Sequence, residues 1–148
     1  MAKRGLRIIA SIGVLCATAA GAVFVPAASA VLPGDGGGGY VSCSASDTTW
    51  RGLTTPRISC SGYRVGFYAY NASYQSPCYQ YGYNAKVFFV VNGSWDPYNP
   101  VWTGGPFCLD GTWHYTGAGV SSYNRGLVSE MTINAAATDW TMTIYRLA

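Results

Sequence analysis

The chain has 148 residues, room for one domain of ordinary size beside a targeting segment, and is 49% hydrophobic but only 10% charged. Nine Lys and Arg stand against six Asp and Glu, yet three of the cations, Lys3, Arg4 and Arg7, crowd the N-terminus, and from residue 31 onward six of each sign cancel. A nucleic-acid surface is disfavoured, because phosphate affinity needs clustered cations and the remaining six are scattered.

The three N-terminal cations precede the apolar run Ile8 to Ala17 and a small-residue stretch that ends Ala28-Ser29-Ala30. That order of charged, apolar and small residues is the signature of a secretory signal peptide. The apolar run is too short, and too rich in Ala and Gly, for a membrane-spanning helix of about 20 residues. Residues 1–30 are therefore expected to leave on export, taking Cys16 with them, and the protein to be extracellular. Residues 31–39, V-L-P-G-D-G-G-G-G, read as a flexible leader. A single β-rich domain is expected over 40–148, as a monomer.

Along this domain short alternating runs are separated by Gly, Asn, Pro and Ser clusters, and no helical period persists. An all-β fold follows, a small disulfide-stabilised antiparallel sandwich or barrel. Strands are predicted at Tyr40 to Ser44, with Val41 and Cys43 on one side, and at Arg57 to Cys60. In Tyr63 to Tyr70, Val65 and Phe67 face the core and Tyr68 and Tyr70 face away. Lys86 to Val91 is apolar on both faces, as a central strand should be, and the Asn92-Gly93 turn ends it. A C-terminal hairpin joins Leu127–Ile133 to Thr138–Tyr145, with Trp140, Met142 and Ile144 inward and Asp139, Thr141, Thr143 and Tyr145 outward.

Four cysteines, Cys43, Cys60, Cys78 and Cys108, remain after processing, and an even count in an exported chain predicts two disulfides. Of three possible connectivities, Cys43 with Cys60 and Cys78 with Cys108 closes the shortest loops. No two of these cysteines are spaced as zinc ligands, so no metal and no cofactor is expected.

Candidate chemistry is sparse. The single histidine, His114, has no G-x-S-x-G elbow or H-E-x-x-H pair beside it, and a lone histidine among aromatics is most often a packing residue. Glu130 with Asp96 or Asp110 could serve glycoside hydrolysis, and Glu130, Arg125 and His114 could serve a ribonuclease, but nothing in the sequence brings either set together. No catalytic residue is assigned.

The aromatic region is more informative. Tyr79, Tyr81 and Tyr83 share a face if their segment is extended. After the central strand, Asn92 to Phe107 is rich in turn formers punctuated by Trp95, Tyr98 and Trp102, the composition of a recognition loop. With Leu and Ile scarce, some rings must build the core, Trp140 above all, while Trp95 and Trp102, flanked by Pro and Gly, are expected outside. Rings beside Asn, Asp and Gln suit ligands with apolar faces and hydroxyl edges. The first expectation is a secreted, non-catalytic module that binds carbohydrate or cell-wall polymer through Tyr79, Tyr81, Tyr83, Trp95, Tyr98 and Trp102. The alternatives are a secreted inhibitor of an extracellular hydrolase or antimicrobial toxin acting on a protein partner, and a small hydrolase centred on His114. Two glycosylation sequons stand at Asn71-Ala72-Ser73 and Asn92-Gly93-Ser94.

Overall fold

A computed structural model describes residues 23–26, 39–49 and 54–148. Apart from Val23–Pro26, the expected signal and the leader up to Gly38 lie outside the described residues.

The domain is an antiparallel sandwich. Its strands are β1 (Val23–Pro26), β2 (Gly39–Thr49), β3 (Ile58–Gly62), β4 (Arg64–Tyr70), β5 (Tyr83–Phe89), β6 (Trp102–Phe107), β7 (His114–Tyr115), β8 (Arg125–Ile133) and β9 (Thr138–Leu147), with one helical turn, α1 (Cys78–Tyr81), before β5. The first sheet runs β1-β2-β9-β4-β7 and the second β3-β8-β5-β6. β2 lies over β3, β9 over β8 and β4 over β5, as the contacts between the layers show.

The alternation in the sequence decides what lies between the sheets. Val65, Phe67 and Ala69 of β4 and Trp140, Met142 and Ile144 of β9 face Ala85 and Val87 of β5 and Leu127, Met131 and Ile133 of β8. The expected alternation of faces in the C-terminal hairpin holds, with Trp140 in the core, but Thr143 and Tyr145 on the outward face are buried too, Tyr145 beneath Tyr115. β5 is interior to its sheet, as its doubly apolar sequence requires, and it begins three residues earlier than the pattern indicated. In β2 a bulge between Val41 and Cys43 separates the faces of these two residues: Cys43 pairs with the inward Ile144 and Val41 with the outward Tyr145.

The two open sides of the sandwich are closed by different means. At the β2/β3 side the Cys43–Cys60 disulfide joins the sheets, its Cα atoms 6.4 Å apart, and the Ser42 hydroxyl donates to the Ser61 carbonyl at 2.6 Å. At the β6/β7 side rings fill the gap. Trp102 stacks on Phe67 with centroids 5.5 Å apart, Phe107 lies 5.3 Å from Tyr83, and His114 stacks on Phe107 at 4.2 Å. Gly104 makes this possible, because a Cβ there would lie 2.3 Å from the Trp102 ring. The second disulfide, Cys78–Cys108, ties α1 to the end of β6. Both bridges have the sequential connectivity that short loops favour.

Removing the inter-sheet bridge by Cys43→Ala/Cys60→Ala should lower unfolding free energy by about 3 kcal/mol on the loop-entropy account of its span, measured by urea denaturation. An unchanged midpoint would show that the hydrogen-bonded edge alone closes that side.

Candidate functional site

The loop from Val91 to Val101 is built from local bonds rather than from a ladder. Asn92 and Gly93 take positive φ, 52° and 77°, in a tight turn that Val91 and Ser94 close with reciprocal backbone bonds of 2.7 and 3.1 Å. The Asp96 carboxylate then accepts from the Tyr98 amide at 2.9 Å and from the Asn99 side-chain amide. The Tyr98 amide first, and Asn99 after it, hold the Asp96 carboxyl below the usual carboxylate range. The Val101 amide donates to the Val87 carbonyl at 2.8 Å and returns the chain to the sheet.

Trp95 is the pillar of this loop. Its ring packs 4.8 Å from Phe88 on the outer face of the second sheet, and the Arg57 guanidinium lies 4.7 Å over it. Arg57 in turn donates to Glu130 at 2.7 Å. Glu130 is therefore buried and paired rather than a solvated member of its strand. Between loop and strand end opens a groove of about 530 Å3, lined by the apolar Phe89, Val91, Trp95 and Val101 and by the polar Asn92, Ser94, Asp96 and Asn99. Tyr98 projects beyond it, 88% exposed.

The other predicted contact residues go elsewhere. Trp102 is half-buried, because β6 continues the sheet through its Gly and Pro residues and turns the indole inward onto Phe67. The common face proposed for Tyr79, Tyr81 and Tyr83 does not form. Cys78 to Tyr81 is a helical turn, closed by the Gly82 amide donating to the Cys78 carbonyl at 2.8 Å, so the spacing-two rule of a strand does not apply. Tyr79 is 78% exposed, Tyr81 packs against Tyr74, and Tyr83 is in the core with its hydroxyl donating to the Phe67 carbonyl. Burial, with the Asp110 charge added to it, pushes the Tyr83 phenol well above its ordinary range.

A ring display that the local sequence pattern did not single out lies on the outer face of the first sheet. Tyr68, Trp113, Tyr115 and Tyr145 form a chain with centroid steps of 5.4, 6.1 and 6.2 Å, and Arg64 lies 4.7 Å over Tyr115. Gly66 leaves room for it, since a Cβ there would meet Tyr115 at 2.9 Å and Tyr145 at 3.1 Å. Alternation in β4 placed Tyr68 outside, but only the register of the two-residue β7 brings Tyr115 opposite Gly66 and Trp113 against Tyr68.

The His114, Arg125 and Glu130 trio does not assemble. His114 lies against Tyr83 at one end of β5 and the Arg125 guanidinium against Phe89 at the other, roughly 20 Å apart along an extended strand. Glu130 is on the outer face of the second sheet, bound to Arg57. Among the described residues no group of three His, Cys, Asp or Glu side chains is placed to hold a metal, and no helix is long and apolar enough to cross a membrane. The two sequons also separate. Asn71 is 6% exposed, and its amide donates to the Ala136 carbonyl at 2.8 Å and the Thr138 hydroxyl at 3.1 Å, leaving no place for a glycan, whereas Asn92 is exposed at the groove.

Two outcomes follow. Trp102→Ala should destabilise the domain by about 3 kcal/mol, as removal of a packed indole does, while Tyr98→Ala leaves the thermal midpoint within error; equal effects would contradict their placement. Burial first lowers the His114 pKa, with Asp110 opposing, so the folded state disfavours the imidazolium. The stability held by neutral His114 is full above its unfolded value near 6.5 and is lost as pH falls through the lower folded value. Urea midpoints should drop on acidification below about pH 6.5, and His114→Phe should flatten that segment of the profile.

No family model, curated protein or solved structure matches this chain.

Proposed function

We propose that the protein is a secreted, non-catalytic binding module for carbohydrate or cell-wall polymer, with ligand held at the Val91 to Val101 loop. The observation that carries this reading is the mixed lining of the groove, where Trp95, Val91 and Val101 occur together with Asn92, Ser94, Asp96 and Asn99. A sugar ring presents an apolar face and a hydroxyl edge, and such a lining offers groups for both. Among the polar groups Asp96 is preorganised, because it is fixed by Tyr98 and Asn99 before any ligand arrives. Pre-fixed groups lose less entropy on binding. The outer strip with Trp113 is a second ring surface on the opposite sheet.

One observation favours a second reading. Tyr98 stands on a short loop fixed at its base, an exposed aromatic anchor of the kind that fills a pocket on a protein partner. This is the inhibitor or toxin reading.

The test is retention of the purified, oxidised protein on insoluble chitin, cellulose and peptidoglycan. The parent should be retained on at least one polymer, and Tyr98→Ala/Asn99→Ala should lose most of that retention with its circular dichroism unchanged. Loss in Trp113→Ala alone would move the ligand to the first sheet and defeat the loop assignment. Retention on none would defeat the glycan reading and leave the protein partner.

A further inference from the structure

The four edges of the two sheets are not equally protected. β7 has two residues, β3 has five, and β6 carries Pro106 and an irregular register with β5. Short length, proline and irregularity are how sheet edges avoid pairing with other chains. The fourth edge, β1, has four residues and ends in Pro26, and of these defences its neighbour β2 has only an irregularity near one end. It spans eleven residues without a proline or a cation, and its one charge is Asp47. Its bulge lies at Val41 to Cys43, toward one end.

The outer side of β2 is covered over Cys43 to Ser46 by β1, paired antiparallel with Val23 opposite Ser46 and Pro26 opposite Cys43. β1 lies within residues 1–30, which have the order of an export signal. Cleavage after Ala30 would strip β1 from the sheet and leave the backbone N–H and C=O groups along the outer side of β2 without their partners.

We propose that in the exported protein this edge pairs with the same edge of a second copy, giving a two-fold dimer in which the first sheets join into one continuous antiparallel sheet. The seating of β1 shows that Cys43 to Ser46 accepts an extended antiparallel strand. A two-fold axis at Ala45, normal to the sheet, supplies that orientation from β2 itself. Ser44 then faces Ser46 of the second copy, a hydroxyl pair of the kind that stabilises adjacent strands, and Cys43 faces Asp47. The single carboxylate of the edge never meets its own mate, so the pairing carries no like-charge contact. A two-fold arrangement uses one patch twice and closes after two copies. The dimer stands apart from the glycan reading and holds whether or not the loop binds sugar.

The experiment takes the protein from the medium of a secreting host, fixes its N-terminus by mass spectrometry and follows sedimentation across a concentration series. The expected result is an N-terminus at Val31, a reversible dimer, and slowed amide exchange at Cys43 to Ser46 in the dimer relative to the diluted monomer. Ser46→Lys, at a half-exposed position on the outer face, should raise the dissociation constant about tenfold, the equivalent of about 1.4 kcal/mol, with circular dichroism and both disulfides retained. A monomer at every concentration overturns the proposal. So does a dimer indifferent to Ser46→Lys whose β2 amides exchange as in the monomer, because another surface is then responsible. An N-terminus upstream of Val23 also overturns it, since the edge is then occupied by the chain's own β1.

Discussion

A two-sheet sandwich has two open sides, and this domain has little Leu or Ile with which to close them. Everything else in the structure depends on how that is done. At the β2/β3 side a covalent bond spans the sheets at Cys43–Cys60. At the β6/β7 side, where the edge strand of the first sheet is only two residues long, the large rings of Phe67, Trp102, Phe107, Tyr83 and His114 fill the space that aliphatic side chains would otherwise occupy. Aromatic side chains bury large areas singly, and stacked or tilted pairs add about 0.5–1.5 kcal/mol each beyond that burial. The aromatic richness of the chain is in good part this closure.

This has a direct bearing on the surface. Rings committed to the closure cannot also meet a ligand, which removes Tyr83 and most of Trp102 from any recognition role. Trp95 is a support, held between Phe88 and Arg57, and its value to the groove lies in fixing the height of the loop above the sheet. The rings most open to solvent include Tyr98 on the loop, Tyr79 on α1, Tyr123 before β8, Tyr74, and Trp113 on the outer strip. Arg57 also connects the loop to the strands beneath it, since the same guanidinium that covers Trp95 neutralises Glu130, a carboxylate that would be costly to bury alone.

Much of the fold was legible because a period-two pattern is a local property. Val65 and Phe67, or Trp140, Met142 and Ile144, declare their face through their immediate neighbours, and the two disulfides follow from short loops. β6 was not legible, because Trp-Thr-Gly-Gly-Pro-Phe has the composition of a loop. Its glycine is there to make way for an indole, a reason that exists only once the facing sheet is known. The tyrosines from Tyr79 to Tyr83 carry a strand's spacing, yet the tie from Cys78 to Cys108 accompanies a helical turn, and the extended segment starts only at Tyr83. The loop at Asn92 to Asn99 was recognisable from its turn formers, and its groove was not, since the lining includes Phe89 and Val101 from the strand end and the return.

The place of β9 has a consequence for the order of events in the life of the chain. This last strand, Thr138–Leu147, sits between β2 and β4, so the two longest ladders of the first sheet both wait for it, and β2 reaches it from about a hundred positions away, as the hydrogen bond between Ser44 and Thr143 illustrates. Contacts of such separation are closed late and slowly. A chain made from its N-terminus has no way to complete this sheet until its C-terminus is available. The topology itself thus leaves β2 and β4 without their shared neighbour until the final strand can be inserted between them.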